Sequence, residues 1–269
     1  MIKTSGFWVI VLIAVIISAC GNNNHGNTNA IVKKDTLNYT YNNITVTEDK
    51  HGDVPDSELS VVKIKYPVFA GEKALNDTIK AKMLAFFAVD DKPDTGFNQM
   101  AKNFLTEYGT TIPGRFEEIR HSLNISVDSL KQIPGLVSLQ ISGDNYYTGN
   151  NVHHEVRTFF INWDSNAARQ VTLKDLFSDT TQVQLTKIAE SILRKQEKLP
   201  DSVSLASDHR FVDGKFYLSD RFLLKPAGIE FLYNRKSIDQ HTGPTDFLVP
   251  YSSIKQLLRP NTVVSQYIK

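Results

Sequence analysis

Hydrophobic and polar positions alternate along "SELSVVKIKYPVF": Val62, Ile64, Tyr66 and Val68 fall on one side, Lys63 and Lys65 on the other. A strand with one buried face has this period of two. Between Gly71 and Ala88 the period lengthens, and Leu75, Ile79, Met83 and Phe86 recur at helical spacing. Phe97, Met100, Ala101, Phe104, Leu105 and Tyr108 form a second stripe, so two amphipathic helices follow the strand. Aromatic and methionine stripes of this kind read as core faces rather than a cofactor box, because such side chains prefer burial.

After "GTTIPG" the pattern returns to β, over Phe116 to Leu130, Leu136 to Thr148 and His153 to Trp163, with "KQIPG" and "GNN" between the runs. Pro and Gly punctuate these junctions, and the Gly-Asn-Asn turn predicts a hairpin. "LKDLFSDTTQVQLTKIAESILRKQ" predicts a short helical turn and a longer helix with Leu185, Ile188, Ala189, Ile192 and Leu193 on one face, capped by Thr180 or Thr181. Short strands follow at "GKFYLSD", "RFLLK", "GIEFLYN" and "DFLVPY", then a brief helix from Ser252 to Leu258. Helices segregated between runs of strands, without strict β-α alternation, predict an α+β fold: antiparallel sheets with packed amphipathic helices in two consecutive modules. The boundary falls near residues 110 to 115, and the pattern also allows a sheet shared across it.

The first residues change the picture of where the chain works. Lys3 precedes an apolar run from Phe7 to Ala19, broken only by Ser18 and followed by Cys20, the single cysteine. About 20 apolar residues are needed to span a bilayer, so this run suits the core of a signal peptide. Ser18-Ala19-Cys20 resembles the bacterial lipobox, which makes Cys20 a lipid attachment site and leaves no thiol for a disulfide, a nucleophile or a metal. Residues 1–19 are then a signal peptide, and 20–57 a polar, Asn-rich tether that includes a candidate first strand. Two modules follow, 58–113 and 114–269. Lys and Arg total 30 against 29 Asp and Glu, so no global field steers the chain to nucleic acid, and its partners must be recognised locally. Membrane contact is expected through the N-terminal lipid.

Two stretches carry a family resemblance. Tyr147, Gly149 and His153 form a Tyr-x-Gly turn leading to His, followed by Leu173, Asp175, Leu176 and Phe177 at a helix start, and later by Gly243 and Pro250-Tyr251-Ser252. This pattern resembles the C-terminal extracellular domain of RsiV-like anti-sigma factors. Asn150, Asn151 and Val152 stand where that family commonly has Gly-Gly before the His. The preceding "SVVKIKYPVFAGEKALNDTIKAKM" is similar to the module that stands before the catalytic domain in PdaC-type peptidoglycan deacetylases. The resemblance covers roughly residues 58 to 258. It implies an α+β fold, and it implies binding of a lysozyme-like protein, because the anti-sigma module acts as a lysozyme sensor. With it come the expected ligand-binding residues Tyr147, Gly149, His153, His241, Gly243 and Tyr251. No sigma-binding segment precedes the signal, which argues against a direct anti-sigma role.

Catalytic signatures are not found in the sequence. His153, His154 and Glu155 suggest a metal site, but neighbours on a strand point to opposite faces, so the two imidazoles do not share an ion. His121, His209 and His241 sit outside any recognisable triad, and no Gly-x-Ser-x-Gly elbow or phosphate loop is present. Asp90 and Asp91 fall in a polar connection between helices. We therefore expect no metal and no cofactor. The expected function is a non-enzymatic, lipid-anchored protein of the bacterial cell envelope, at the outer membrane where the cell has one. It binds a wall-related ligand, either a lysozyme-like muramidase or a peptidoglycan glycan. The alternatives are a hydrolase or deacetylase acting on peptidoglycan or polysaccharide, whose two carboxylates converge from distant positions, and a structural envelope lipoprotein.

Overall fold

The alternation of Val62, Ile64 and Tyr66 folds as expected into one strand of a mixed sheet whose inner face is covered by the two amphipathic helices. The computed structural model describes residues 36–49, 55–89, 92–108, 120–147, 153–202, 204–205, 211, 214–233 and 245–268. Lys33–Lys269 forms one compact unit, and the other unit, Met1–Val32, lies outside the described residues together with Cys20. In chain order the elements are β1 (Tyr39–Thr47), β2 (Val61–Phe69), α1 (Lys73–Leu84), the short strands β3 (Ala88–Val89) and β4 (Lys92–Pro93), and α2 (Phe97–Tyr108). Then come β5 (His121–Ile133), β6 (Leu136–Tyr147), β7 (His153–Asp164), β8 (Arg169–Gln170), α3 (Leu173–Leu176) and α4 (Asp179–Gln196). The last elements are β9 (Phe222–Lys225), β10 (Gly228–Tyr233), β11 (Thr245–Pro250) and α5 (Tyr251–Ile254).

A six-stranded sheet has the order β1-β2-β5-β6-β7-β8, and a three-stranded sheet the order β11-β10-β9. Neighbours pair antiparallel except β2 and β5, which run parallel from Val61↔Ser122 to Lys65↔Ser126. A parallel pair needs a long crossover, and α1 and α2 lie within it. The large sheet thus crosses the 110–115 boundary and draws strands from both sequence modules.

Two cores result. Val62, Ile64, Leu123, Ile125, Leu139, Ile141 and Ile161 face Leu75, Ile79, Met83, Met100 and Phe104 of α1 and α2. The second core packs Leu185, Ala189 and Leu193 of α4 with Phe222, Ile229, Phe231, Phe247 and Val249 of the small sheet. β6 begins with four consecutive buried residues because both of its faces are covered there. Val137 and Leu139 enter the first core and Leu136 enters the second.

Between the cores, buried Asn162 of β7 acts on β9 as a neighbouring strand would. Its Nδ2 donates to the Phe222 carbonyl at 2.7 Å, and its Oδ1 accepts from the Leu224 amide at 2.9 Å. The Ser138 hydroxyl lies 3.3 Å from both Asn162 Oδ1 and the Leu224 carbonyl. One side-chain amide therefore satisfies a donor and an acceptor that an edge strand would otherwise leave open.

Three local expectations change. "GKFYLSD" is not a strand, although Phe216 and Leu218 do pack toward the second core. The Tyr233 hydroxyl donates to the Tyr217 carbonyl at 2.6 Å and accepts from the Ser219 amide at 3.3 Å, doing the work of a ladder partner. The α4 cap is Ser178, whose Oγ accepts from the Thr181 amide at 3.2 Å, while Thr181 Oγ1 accepts from the Ser178 amide at 2.9 Å. Thr181 is thus the third residue of a reciprocal capping box. The last helix starts at Tyr251 and tightens into a 3-10 turn over Lys255–Leu257.

Candidate functional site

The β6–β7 hairpin runs without a bulge from Leu136↔Asp164 to Tyr147↔His153. Residues directly opposite share a face. Val127, Ile141 and Phe159 form one row on the helix-covered side, and Ile125, Gly143 and Arg157 the next. Leu123, Asn145 and Glu155 follow, and His121 and Tyr147 close the series. Toward the open end the rows change from apolar to polar just where the helices end.

There a cleft of about 290 Å³ opens, lined by Phe86, Phe87, Tyr108, Gly143, Asn145, Glu155 and Arg157 among others. Its floor is flat because Gly143 has no side chain. A Cβ there would stand 1.9 Å from Cδ1 of Phe86, so the ring lies directly on the strand. Phe86 meets Phe159 edge-on at 4.9 Å between centroids, and Phe87 does the same to Phe104 and Tyr108. Tyr108, His121 and Tyr147 continue as a stack, with centroids 5.2 and 5.1 Å apart and interplanar angles of 27° and 24°.

Polar groups complete the wall. Arg157 Nε donates to Glu155 Oε1 at 2.7 Å, which orients both side chains. The side-chain oxygen of Asn145 is buried and meets no hydrogen-bond donor among the described residues. A buried acceptor without a donor is costly and unusual, and a ligand hydroxyl or amide N–H would satisfy it.

Of the residues expected to bind ligand, Tyr147 does not line this cleft but ends the aromatic stack that leads away from Tyr108 through His121. His153 is its Cα partner on β7. Gly149, His241 and Gly243 lie outside the described residues, as does Cys20. Tyr251 is placed elsewhere: it opens α5 in the second core, 4 % exposed and stacked on Tyr267 at 6.0 Å. Burial pushes its phenol well above the usual range, and its hydroxyl has no partner among the described residues. Sequence reasoning missed Gly143, Asn145 and Arg157. Period-two counting back from Tyr147 and forward from His153 points to them once the hairpin register is fixed. Phe86 and Tyr108 were read as core and also serve as cleft walls.

A larger cleft of about 550 Å³ lies by the β5–β6 turn and the C-terminal segment. Its charged groups mostly serve the fold. Arg169 bonds Asp175 Oδ1 at 2.6 Å, and this guanidinium, with the Thr172 amide and hydroxyl, holds the Asp175 carboxyl well below the usual carboxylate range. Arg259 Nε donates to the carbonyls of Lys174 and Phe177, and Asp164 Oδ1 accepts from the amides of Asn166 and Ala167. We therefore favour the smaller cleft.

Residues 174–252 match a family described as "Protein of unknown function (DUF3298)". No curated protein matches the chain. Among solved structures, the chain is similar to a DUF3298-family protein from Bacteroides fragilis NCTC 9343, with a TM-score of 0.65 and 21% identity over 87% of this chain and 99% of that one. It is also similar to a DUF3298-family protein from Pseudomonas aeruginosa PAO1, with a TM-score of 0.62 and 17% identity over 84% and 96% of the two chains. At these identities the likeness establishes a shared fold. No helix among the described residues is long and apolar enough to cross a membrane.

Proposed function

We propose that this protein is a lipid-anchored, non-catalytic component of the bacterial envelope that binds a saccharide unit of the wall glycan in the cleft floored by Gly143. The observation that carries the reading is the buried, unpaired oxygen of Asn145 between aromatic rings and the Glu155–Arg157 pair. Aromatic faces suit the apolar faces of a sugar ring, and a site with one acceptor in need of a donor rewards a hydroxyl or an acetamido N–H. A cleft of about 290 Å³ suits a single sugar unit better than an extended chain. The lipobox-like Ser18-Ala19-Cys20 supports the anchor. The resemblance of Tyr147, Gly149 and His153 to the RsiV-like module, and of "SVVKIKYPVF" to the PdaC-like one, supports a wall-related ligand.

The test is calorimetric titration of the full chain, in detergent, with a wall disaccharide bearing acetamido groups. Saturable binding without a change in the sugar's mass is expected. Asn145→Ala and Tyr108→Ala should each weaken it about tenfold, equivalent to about 1.4 kcal/mol, with the thermal unfolding midpoint recorded to show that the fold survives. Absence of binding, or binding indifferent to both substitutions, removes the saccharide reading. Sustained turnover removes the non-catalytic one in favour of a hydrolase or deacetylase. Capture of a muramidase from envelope extract by a chain that ignores the sugar moves the ligand to a protein. Cys20→Ala should release the chain from the membrane fraction.

A further inference from the structure

Sheet edges expose unpaired backbone groups, and most edges here are covered or short. β8 has two residues. β9 is closed by Asn162. β11 carries Asp246 and Pro250, and the Asp246 carbonyl accepts from Gln196 Nε2 at 3.0 Å. β1 is different. It ends the six-stranded sheet, runs for nine residues, "YTYNNITVT", and contains neither a charge nor a proline. It pairs with β2 along its whole length. No hydrogen bond from another described residue reaches the backbone of Tyr39–Thr47 on its open side. Lysines, prolines and bulges are the usual protection of such an edge, and β1 has none of them.

We propose that β1 is a dimerisation edge at which a second copy of this chain adds its own β1 antiparallel, joining two six-stranded sheets into one. A two-fold contact places the same strand on both sides, so β1 must complement itself. The register that pairs all nine residues sets Asn43 opposite its own copy, Tyr41 opposite Thr45 and Tyr39 opposite Thr47. These are amide–amide and aromatic–β-branched pairs, which stabilise antiparallel strands, and no like charges meet. Tyr39 and Tyr41 are two of the few large apolar side chains left exposed among the described residues, at 39% and 40%. Their rings meet each other, Phe69 and the Lys65 ammonium. A cross-strand neighbour would cover them.

Cysteine cross-linking of the full chain in its membrane tests the register. Residues directly opposite in an antiparallel pair have Cα atoms roughly 4.5–5.5 Å apart, within disulfide range. Asn43→Cys should form a covalent dimer under mild oxidation. Wild type, which carries the same Cys20, should not, and nor should Val183→Cys, an exposed position on α4. Thr45→Cys alone should link poorly but should link to Tyr41→Cys when the two are co-expressed. As an independent readout in detergent, Asn43→Lys should weaken self-association at least tenfold in sedimentation, and mixing it with Asn43→Glu should restore association. A monomeric wild type, equal cross-linking at positions 43 and 183, or a cross-linked product containing a different protein would overturn the proposal.

Discussion

Gly143→Ala tests whether contact with Phe86, rather than backbone freedom, demands glycine in the middle of β6. The added Cβ would lie 1.9, 2.2 and 2.7 Å from Cδ1, Cε1 and Cγ of Phe86. Carbon atoms rest about 3.5–4.0 Å apart, so the ring must withdraw by roughly 1.5 Å. It cannot do so freely, being 8% exposed and packed against Phe159. Overpacking of this kind costs about 1–3 kcal/mol. Alanine recovers about 0.5–1 kcal/mol relative to glycine in a strand, which leaves a net loss of up to about 2.5 kcal/mol. Phe86→Ala opens a void and costs about 3 kcal/mol, but it also removes the obstacle. The double variant should therefore be more stable than the sum of the two losses by about 1–3 kcal/mol. Urea unfolding of the full chain, with midpoints compared at a common slope, measures all three changes. Additivity within about 0.5 kcal/mol would show that Phe86 does not rest on Gly143, and the flat floor of the cleft would go with it.

Asn162→Ala strips β9 of its side-chain partner and leaves the Phe222 carbonyl and Leu224 amide unpaired, so a loss of about 2–4 kcal/mol is expected at one or two kcal/mol per orphaned group; chemical denaturation measures it, and amide exchange should quicken at Leu224. The Asp175 carboxyl is held below its unfolded value, so its contribution is present above about pH 4 and declines as pH falls toward the folded value. The stability gap between wild type and Asp175→Asn, about 1 kcal/mol at neutral pH on the scale of a helix cap, should shrink progressively below pH 4 in thermal unfolding followed by circular dichroism; a gap that widened there would refute the assignment.

Elements whose cause is local were legible in the sequence. Val62 to Val68 and the two stripes that became α1 and α2 needed only their own periodicity, and the antiparallel pairing of β6 with β7 needed only two β-rich runs close together in the chain; the turn between them lies outside the described residues. "GKFYLSD" shows where this reasoning stops. Its alternation was real, since Phe216 and Leu218 do face the second core, but alternation reports which side is buried, not whether a neighbour supplies hydrogen bonds. Here that neighbour is the hydroxyl of Tyr233.

The sequence by itself determined the alternating faces and the helices, because each depends on residues a few positions apart. Only the tertiary structure decided that β2 pairs with β5 across the module boundary, that Asn162 closes β9 from 60 residues away, and that Phe86 lies on Gly143. The same holds for Tyr251, a motif match that folded into the core. These contacts join groups far apart along the chain, and their choice rests on which buried polar atoms find partners and which rings find room, quantities that no periodicity encodes.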